Sequence, residues 1–549
     1  MMTPLCGRTY QLFLAAAVAA LMAGAIASHA RPKEMRSARI DAPTGPMEGL
    51  EENGTLQFRG IPYAKPPVGD LRWRPPVAEP RWSAVRDATK FGPQCAQINT
   101  LATFAGPPNN NEDCLYLNVV TSDTAAASAR LPVIVWFHGG GNFTGAADAY
   151  DPRSLVNGGG VVVVTLNYRL GVLGWLAHPD LDAEGHPFAN YGLLDQQMAL
   201  AWVQKNISAF GGDPGNVTIA GQSAGSFDVQ AHMTSPLAKG LFHKAIMESG
   251  VEEATPLKEA EALGLRFSEE AGCGNEPQSV ACLRRLPVER LMAVQGTAGK
   301  YPANDGVVAD GTVVPAEGLS AVFEEGKFSH VPVLSSTMRD EWNFLTGVQQ
   351  FISGRKTPLT ADDYEMFVAA RAGGIQSVEE SIRKHYPLSH YRTPQLAIAA
   401  IGTQGGPWFQ CATRDRLNSL SKVSPVYAYQ FNDRTAPSNL PVMEGFEPLA
   451  DHTADIQYLF RGFRGGPSGI SHPLNAKQTR LSNTLIAAWT NFARTGSPNG
   501  QDDNAWPKYN RTAQPAVVIA DLQGMTTVSD DRFAADNQCE FWESIKHLR

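Results

Sequence analysis

At positions 221–225 the chain reads Gly221-Gln222-Ser223-Ala224-Gly225. Residues 217–220 form a short run rich in β-branched side chains, which predicts a strand, and residues 226–235 can form a helix. A serine at a sharp turn between a strand and a helix exposes its hydroxyl. The flanking glycines are needed because a Cβ at either position would clash with the neighbouring strand or helix. The pattern predicts a serine nucleophile at the end of a sheet strand.

Strand-like and helix-like segments alternate along the rest of the chain. Continuous apolar runs are typical of parallel strands buried on both faces, and two of them occur at 132–137 and 161–166. Residues 331–334 and 426–431 look like later strands of the same sheet. A strand–serine turn–helix motif in such a chain is the nucleophile elbow of an α/β-hydrolase fold. We therefore expect a central, mostly parallel twisted sheet flanked by helices, in one large domain over 31–549.

Two helices are predicted from apolar periodicity. Between Gly192 and Asn206 one apolar face is expected, and a second amphipathic helix at 481–494 should end at Gly496. The first face is formed by Leu194, Met198, Ala201 and Trp202. Segments rich in proline and glycine, at 60–76 and 462–473, are predicted to be surface excursions rather than domain boundaries.

Residues 1–30 have the pattern of a signal peptide. Arg8 lies in a short polar start, an apolar run covers 12–26, and small residues at Ala27, Ser28 and Ala30 follow. Cleavage is expected after Ala30 or after Ala27. A membrane anchor is the alternative, but the apolar run is short for a span. We expect an exported protein, periplasmic or secreted, with no membrane span.

The composition of the chain limits the classes of partner that it is expected to bind. The 549 residues are 43% hydrophobic and carry a net charge of −8, with no long run of Lys and Arg, which disfavours nucleic-acid binding. We expect a monomer. An even number of cysteines in an exported chain suggests three disulfides, although fifteen pairings are open and buried thiols are the alternative. The six cysteines beyond the signal segment are Cys95, Cys114, Cys273, Cys282, Cys411 and Cys539.

A serine nucleophile needs stabilisation of the oxyanion that forms when it attacks. The run His138-Gly139-Gly140-Gly141 directly follows the predicted strand 132–137, and successive glycines let backbone N–H groups turn toward a ligand. We predict an oxyanion hole from the N–H groups of Gly140, Gly141 and Ala224. An ordinary tight turn is the alternative.

The acid and the base should follow the serine in that order along the chain. Asp340 and Glu341 come after the predicted strand 331–334, and His452 lies in a loop beyond 426–431. The residues alone do not choose between the two carboxylates.

Several further motifs resemble those of the type-B carboxylesterases, the carboxylesterase and cholinesterase family. The resemblance covers essentially the whole mature chain, and the motifs occur in the family's order. They are Phe58-Arg59-Gly60-Ile61-Pro62-Tyr63-Ala64, Pro66-Pro67-Val68-Gly69, Leu71-Arg72-Trp73, Glu112-Asp113-Cys114-Leu115-Tyr116-Leu117-Asn118, Asn167-Tyr168-Arg169 and Asn190-Tyr191-Gly192-Leu193-Leu194-Asp195-Gln196.

This resemblance implies roles for individual residues. Ser223 becomes the nucleophile, His452 the base, and Glu341 the acid in preference to Asp340, because the family uses glutamate. Gly140 and Gly141 match the oxyanion glycines. The resemblance also implies three disulfides, which are Cys95–Cys114, Cys273–Cys282 and Cys411–Cys539. It further implies a structural ion pair between Arg72 and Glu112.

The chain also departs from the family pattern. Gln222 stands where many members have glutamate, Asn142 precedes Phe143 where many have an aromatic residue, and Trp342 replaces a glycine after the acid. The segment between Cys95 and Cys114 contains no tryptophan, whereas the choline-binding tryptophan of cholinesterases lies in that loop. Cholinesterase activity is therefore not expected. Asn142-Phe143-Thr144 is a glycosylation sequon, which we expect to be unused because a glycan there would block the site.

The sequence thus predicts a serine esterase that cleaves small-molecule carboxylic esters through an acyl-enzyme, with no metal and no organic cofactor. The same apparatus could serve an amidase, a carbamate hydrolase or a lactonase. Other classes are a catalytically inactive adhesion protein of this fold and a periplasmic binding protein. Pocket walls are expected near 99–111, 300–310 and 343–355.

Overall fold

The computed structural model describes residues 36–548 except 99–107, 275–277, 297–305, 356, 464, 466–470, 501–505 and 513–515. The predicted signal peptide, 1–30, and parts of two predicted pocket walls, 99–107 and 300–305, lie outside these described residues. Among the helices described, none is both long enough and apolar enough to cross a bilayer.

The strands follow the predicted alternation but extend further toward the N-terminus. They are β1 Arg36–Ala42, β2 Gly45–Glu52, β3 Thr55–Pro62, β4 Arg86–Asp87, β5 Tyr116–Ser122, β6 Leu131–Phe137, β7 Val162–Leu166, β8 Gly212–Gln222, β9 Lys244–Glu248, β10 Thr255–Pro256, β11 Val308–Ala309, β12 Val333–Met338, β13 Val426–Phe431, β14 Val517–Asp521 and β15 Gly524–Val528.

The α-helices lie between and after these strands. They are α1 Arg153–Gly159, α2 Gly171–Trp175, α3 Pro179–Asp182, α4 Tyr191–Asn206, α5 Ala224–Thr234, α6 Leu257–Ala271, α7 Ser279–Arg285, α8 Val288–Gln295, α9 Leu319–Glu324, α10 Trp342–Ile352, α11 Ala361–Arg371, α12 Gln376–His385, α13 Pro394–Gly405, α14 Gln410–Leu420, α15 Ile456–Leu459, α16 Ala476–Thr495, α17 Asp530–Asp536 and α18 Cys539–Ile545.

One large mixed sheet organises the described residues. Its strand order is β1-β2-β3-β5-β7-β6-β8-β9-β12-β13-β14-β15, with β4 paired to β2. The strands from β7 to β14 along this order are parallel to one another, and antiparallel strands lie at both edges. Because the carboxyl ends of parallel strands meet at one edge, the turns after β6, β8 and β12 come together there.

Both faces of this sheet are buried. Along β6, Val133, Val135 and Phe137 belong to one apolar core, while Ile134 and Trp136 belong to the core on the opposite face. This alternation explains why the strand reads as a continuous apolar run. A third, smaller core joins α11, α12, α13 and α18, with Trp542 among its buried side chains.

Two expectations about the fold were wrong. The helix α4 has no single apolar face, because it is buried on most of its surface, polar Asp195 and Gln196 included, whereas Ala201 is exposed. The segment 60–76 is not a mere surface excursion, since its first residues belong to β3 and Trp73 is fully buried, donating from Nε1 to the Val172 carbonyl at 2.7 Å.

The covalent and ionic links implied by the resemblance are present. The disulfides are Cys95–Cys114, Cys273–Cys282 and Cys411–Cys539. Arg72 binds both carboxylate oxygens of Glu112 at 2.6 Å, with both side chains largely buried. A bidentate pair of this kind fixes two distant segments in one geometry.

Candidate active site

Ser223 occupies a strained turn between β8 and α5. Its backbone angles are φ 57° and ψ −125°, a region that non-glycine residues rarely adopt and that clusters at functional sites. A Cβ on Gly221 would lie 2.3 Å from the Gly225 backbone, and one on Gly225 would lie 2.1 Å from the Phe137 carbonyl oxygen. These close approaches explain why both positions are glycine. Ser223 itself is half-buried.

The glycine run after β6 lies directly beside this turn. A Cβ on Gly139 would be 2.8 Å from the Gln222 carbonyl oxygen and 3.1 Å from Cβ of Ser223. Gly140 and Gly141 have φ of 121° and 64°, which turn their backbone in a way that other residues resist. Backbone N–H groups can therefore approach an atom bonded to the serine, as an oxyanion hole requires.

Glu341 and His452, which are 111 residues apart in sequence, form a buried pair. Oε2 of Glu341 lies 2.6 Å from Nδ1 of His452, and its Oε1 accepts the Met338 N–H at 2.7 Å. A carboxylate at Nδ1 fixes the ring orientation and the tautomer, so that Nε2 is left as the proton-accepting nitrogen. Asp340 instead binds Arg434 at 2.6 and 2.9 Å, so the two neighbouring carboxylates have separate partners.

Gln222 holds the loop that carries the histidine. Its Nε2 donates to the His452 carbonyl at 2.8 Å, a bond that an ionised glutamate at this position could not make. The His452 ring also contacts Phe409 and Phe344, with ring centroids 5.2 and 5.8 Å away. The imidazole is thus held by a carboxylate and two aromatic rings, and the backbone that carries it is held by an amide.

Trp342 is accommodated by small residues on a neighbouring helix. A Cβ on Gly402 of α13 would lie 2.2 Å from the indole, so the missing side chain there leaves room for the ring. Trp342 also stacks on Trp408, with centroids 5.8 Å apart and the planes within 9°. Because Phe409 contacts both Trp342 and His452, an aromatic layer lies beside the imidazole.

Two buried carboxyls lie behind the serine and the histidine. Glu248 accepts the Ser223 N–H through its carbonyl at 2.9 Å and the Tyr429 hydroxyl through Oε1 at 3.1 Å. Burial, together with the neighbouring Asp455 carboxyl, raises the pKa of Glu248 well above its ordinary value. Burial raises the pKa of Asp455 to about 7. Burial and the closeness of the two carboxyls thus disfavour the state in which both are ionised.

Asn142 follows the glycine run and is completely buried. Its side-chain Nδ2 donates to Asp228 at 3.1 Å, so the sequon has no accessible amide for a glycan.

Sequence reasoning missed Asp228, Glu248 and Asp455, because no local motif distinguishes them from other carboxylates. Within the part of the chain described, no group of three or more His, Cys, Asp or Glu side chains is arranged to hold a metal ion.

Comparison with known proteins gives a consistent result. A model of the carboxylesterase family matches residues 36–542. A para-nitrobenzyl esterase of Bacillus subtilis (strain 168) is 33% identical, covering 86% of this chain and 93% of the relative. A medium-chain fatty acyl-CoA hydrolase precursor of Anas platyrhynchos is 33% identical, covering 84% and 83%. A solved structure of a PNB esterase matches with a TM-score of 0.74 at 31% identity, covering 91% of this chain and 99% of that chain.

Proposed function

This chain belongs to the carboxylesterase family, has the α/β-hydrolase fold and is a carboxylic ester hydrolase, and we propose that it acts through an acyl-enzyme on Ser223. In this proposal Ser223, Glu341 and His452 form the catalytic triad. The N–H groups of Gly140, Gly141 and Ala224 form the oxyanion hole. The substrates are small-molecule esters.

The reaction takes two displacement steps. His452 removes the Ser223 proton as the hydroxyl oxygen attacks the ester carbonyl, and then protonates the leaving alcohol. A water molecule activated by the same imidazole then attacks the acyl-enzyme and releases the acid. Glu341 orients the ring and stabilises its protonated form in both steps.

The observation that carries the proposal is the convergence of four segments that are distant in sequence. A buried Glu341–His452 bond of 2.6 Å fixes one side, and the strained Ser223 turn beside the Gly139–Gly141 run forms the other. Backbone strain persists only where the surrounding structure enforces it, and here it occurs at the serine that the proposal makes the nucleophile. An adhesion or binding protein would require none of this geometry.

Hydrolysis of p-nitrophenyl esters from acetate to decanoate, by wild-type and Ser223→Ala protein, tests the proposal. The variant should lose roughly 10⁴–10⁶-fold in kcat while remaining folded. Wild-type protein should release a burst of p-nitrophenol when deacylation is slow. The preferred chain length would measure the acyl pocket. Retained activity in the variant would show that Ser223 is not the nucleophile. An absence of turnover by folded wild-type protein would overturn the proposal of a general esterase.

A further inference from the structure

The glycine run is anchored at its C-terminal end by Asn142. This residue has φ 59°, a left-handed conformation that asparagine tolerates better than most side chains, and it lies in a turn closed by N–H groups of Phe143 and Thr144 on the Gly140 carbonyl. Its own carbonyl accepts the Gly171 N–H at 2.8 Å. The conformation of Asn142 therefore sets the direction in which the preceding glycine N–H groups point.

Asp228 on α5 accepts a hydrogen bond from the Asn142 side chain. Oδ1 of Asp228 accepts from Asn142 Nδ2 at 3.1 Å, and Oδ2 accepts from Gln196 Nε2 at 2.6 Å. On the other side, the Tyr168 hydroxyl donates to the His138 carbonyl at 2.7 Å and lies 3.2 Å from Asn142 Oδ1. These side chains are fully buried. Such a network restricts each member to one orientation.

The position of Asp228 on its helix gives this contact a second consequence. Ala224, whose N–H completes the proposed oxyanion hole, is the first residue of α5, and Asp228 follows one helical turn later on the same face. A bond from Asp228 to Asn142 therefore ties the two parts of the hole to each other. The glycine N–H groups come from the turn after β6, and the Ala224 N–H comes from the turn after β8. Among the side-chain contacts described above, the Asn142–Asp228 bond is the one that joins these two turns.

We propose that Asn142 and Asp228 form a buried clamp that sets the distance between the glycine N–H groups and the Ala224 N–H, and that Asp228 is a positioning residue for ester hydrolysis. The inference rests on the proposed function, because it assigns these N–H groups to the oxyanion hole. Neither residue touches the substrate. The clamp acts by holding the donors where charge develops in the transition state.

The requirement at position 228 is for a hydrogen-bond acceptor rather than for a charge. Burial raises the pKa of Asp228 to about 7, and none of the described ion pairs involves it. Its titratable neighbours are uncharged at neutral pH. Burial lowers the pKa of His138 to about 4 and that of His232 to about 3, and it raises the pKa of Tyr168. Asp195, which precedes Gln196 on α4, is paired with Arg169.

The first test compares two substitutions of nearly equal size. Asp228→Asn keeps an oxygen for Asn142, and its new amide can donate to Gln196 if that side chain turns over and His232 takes its other tautomer. Asp228→Leu leaves both amides without an acceptor. We expect Asp228→Asn to retain kcat within about threefold. Asp228→Leu should lower kcat by about 10- to 100-fold with KM within about threefold.

The matched control is Asp530→Leu. Asp530 is also a buried carboxylate, but it binds Arg414 and Tyr509 near the C-terminus, away from the glycine run. A trifluoromethyl ketone that forms a tetrahedral adduct supplies a second readout, because its oxyanion occupies the hole. Its inhibition constant should rise in Asp228→Leu in proportion to the loss in kcat/KM, and it should not rise in Asp530→Leu. Equal kcat in Asp228→Leu and wild type would overturn the clamp.

A second variant keeps the proposal falsifiable if Asp228→Leu does not fold. In Asn142→Asp two carboxyls face each other at about the 3.1 Å of the present contact, and they can share a proton only at lower pH. The neighbouring His138, Tyr168 and His232 keep one protonation state over this range, because burial lowers the pKa of both histidines and raises that of the tyrosine. Relative to wild type at the same pH, kcat should therefore fall at least tenfold between pH 6 and pH 9. Adding Asp228→Asn supplies an amide donor to the new carboxylate and should abolish that fall.

These outcomes separate the clamp from the proposed function. A wild-type profile in Asn142→Asp, or a fall that persists in the double variant, would overturn the clamp while leaving esterase activity intact. Loss of the proposed function would instead show as absent turnover in the wild type or as full activity in Ser223→Ala.

Discussion

Glu341 and Asp340 are neighbouring carboxylates that differ in what they bind. Only Glu341 faces His452, and its other oxygen accepts a backbone N–H. In Glu341→Gln one oxygen must serve both donors, so the imidazole is left in the wrong tautomer or orientation. We expect kcat to fall by about 10⁴-fold at neutral pH with the fold intact. Steady-state hydrolysis of a p-nitrophenyl ester measures this directly.

The control for that substitution is Asp340→Asn. Asp340 binds Arg434 at the surface and also accepts the Ala450 N–H, so its loss should cost some stability. Activity should stay within about threefold of wild type, because a partly exposed ion pair contributes at most about 1 kcal/mol. If the two variants lost activity equally, the acid would not be Glu341 alone.

Asp228 also gives a prediction about stability and pH. Burial raises its pKa from 3.8 to about 7, so between these values the folded protein holds a proton that the unfolded chain has released. The free energy of unfolding therefore falls as the pH rises through this interval. Asp228→Asn removes this loss. Urea denaturation at pH 5 and pH 8 should show that the variant loses roughly 2–3 kcal/mol less than wild type across the interval. Parallel losses would show an unshifted carboxyl.

Some site residues could be predicted because a short motif surrounds them, and others could not. Ser223 and the glycines are recognisable because strand, turn and helix requirements are local. The Asn142–Asp228 bond joins residues 86 apart, and the Gln222 bond joins the His452 carbonyl 230 residues away. A contact of that kind depends on how two loops pack, which a single sequence does not encode in any nearby pattern.

At the scale of elements, prediction succeeded where a segment is buried in a regular way. The run 426–431 coincides with β13, and the second predicted helix ends at Gly496 in the left-handed conformation, as a C-cap requires. The region before β5 was not recognised as part of the sheet. Strands β1 to β3 are antiparallel strands of mixed polarity toward one end of the sheet, and their identity depends on pairing rather than on an apolar run.

The contact between α5 and β6 is the element-scale feature most sensitive to one atom. A Cβ on Gly225 would meet the Phe137 carbonyl at 2.1 Å, and backbone cannot rotate away as a side chain can. In Gly225→Ala the start of α5 must move away from β6. We expect a loss of about 1–3 kcal/mol in unfolding free energy and at least a tenfold loss in kcat, measured by denaturation and ester hydrolysis.

Gly158→Ala on α1 is the comparison for that variant. There the new Cβ would meet only a side-chain methyl of Ile486, at 2.9 Å, which can shift. Alanine also has a higher helix propensity than glycine. Stability should change by less than about 1 kcal/mol and activity should be unchanged. Wild-type kcat in Gly225→Ala would show that the elbow tolerates displacement of α5.

For the molecule as a whole, the three disulfides differ most in the length of chain they close. Cys411–Cys539 spans 128 residues and joins α14 to α18, whereas Cys273–Cys282 spans nine and lies within one excursion from the sheet. The longer bond also holds Trp542, which packs against Gly405 and donates from Nε1 to the Tyr386 hydroxyl. It thus connects the small third core to the helices that cover the sheet.

The chain-entropy model turns this difference into a prediction. Closing 128 residues should stabilise the fold by about 5 kcal/mol and closing nine by about 2.5 kcal/mol, since the restricted freedom of the unfolded chain grows with loop length. The double variants Cys411→Ser/Cys539→Ser and Cys273→Ser/Cys282→Ser each remove two sulfurs, so they are matched chemically. Urea unfolding should show that the Cys411→Ser/Cys539→Ser variant is less stable than the other by about 2 kcal/mol. Both variants should retain esterase activity at low temperature. Equal losses would mean that local packing, rather than loop closure, accounts for what these bonds contribute.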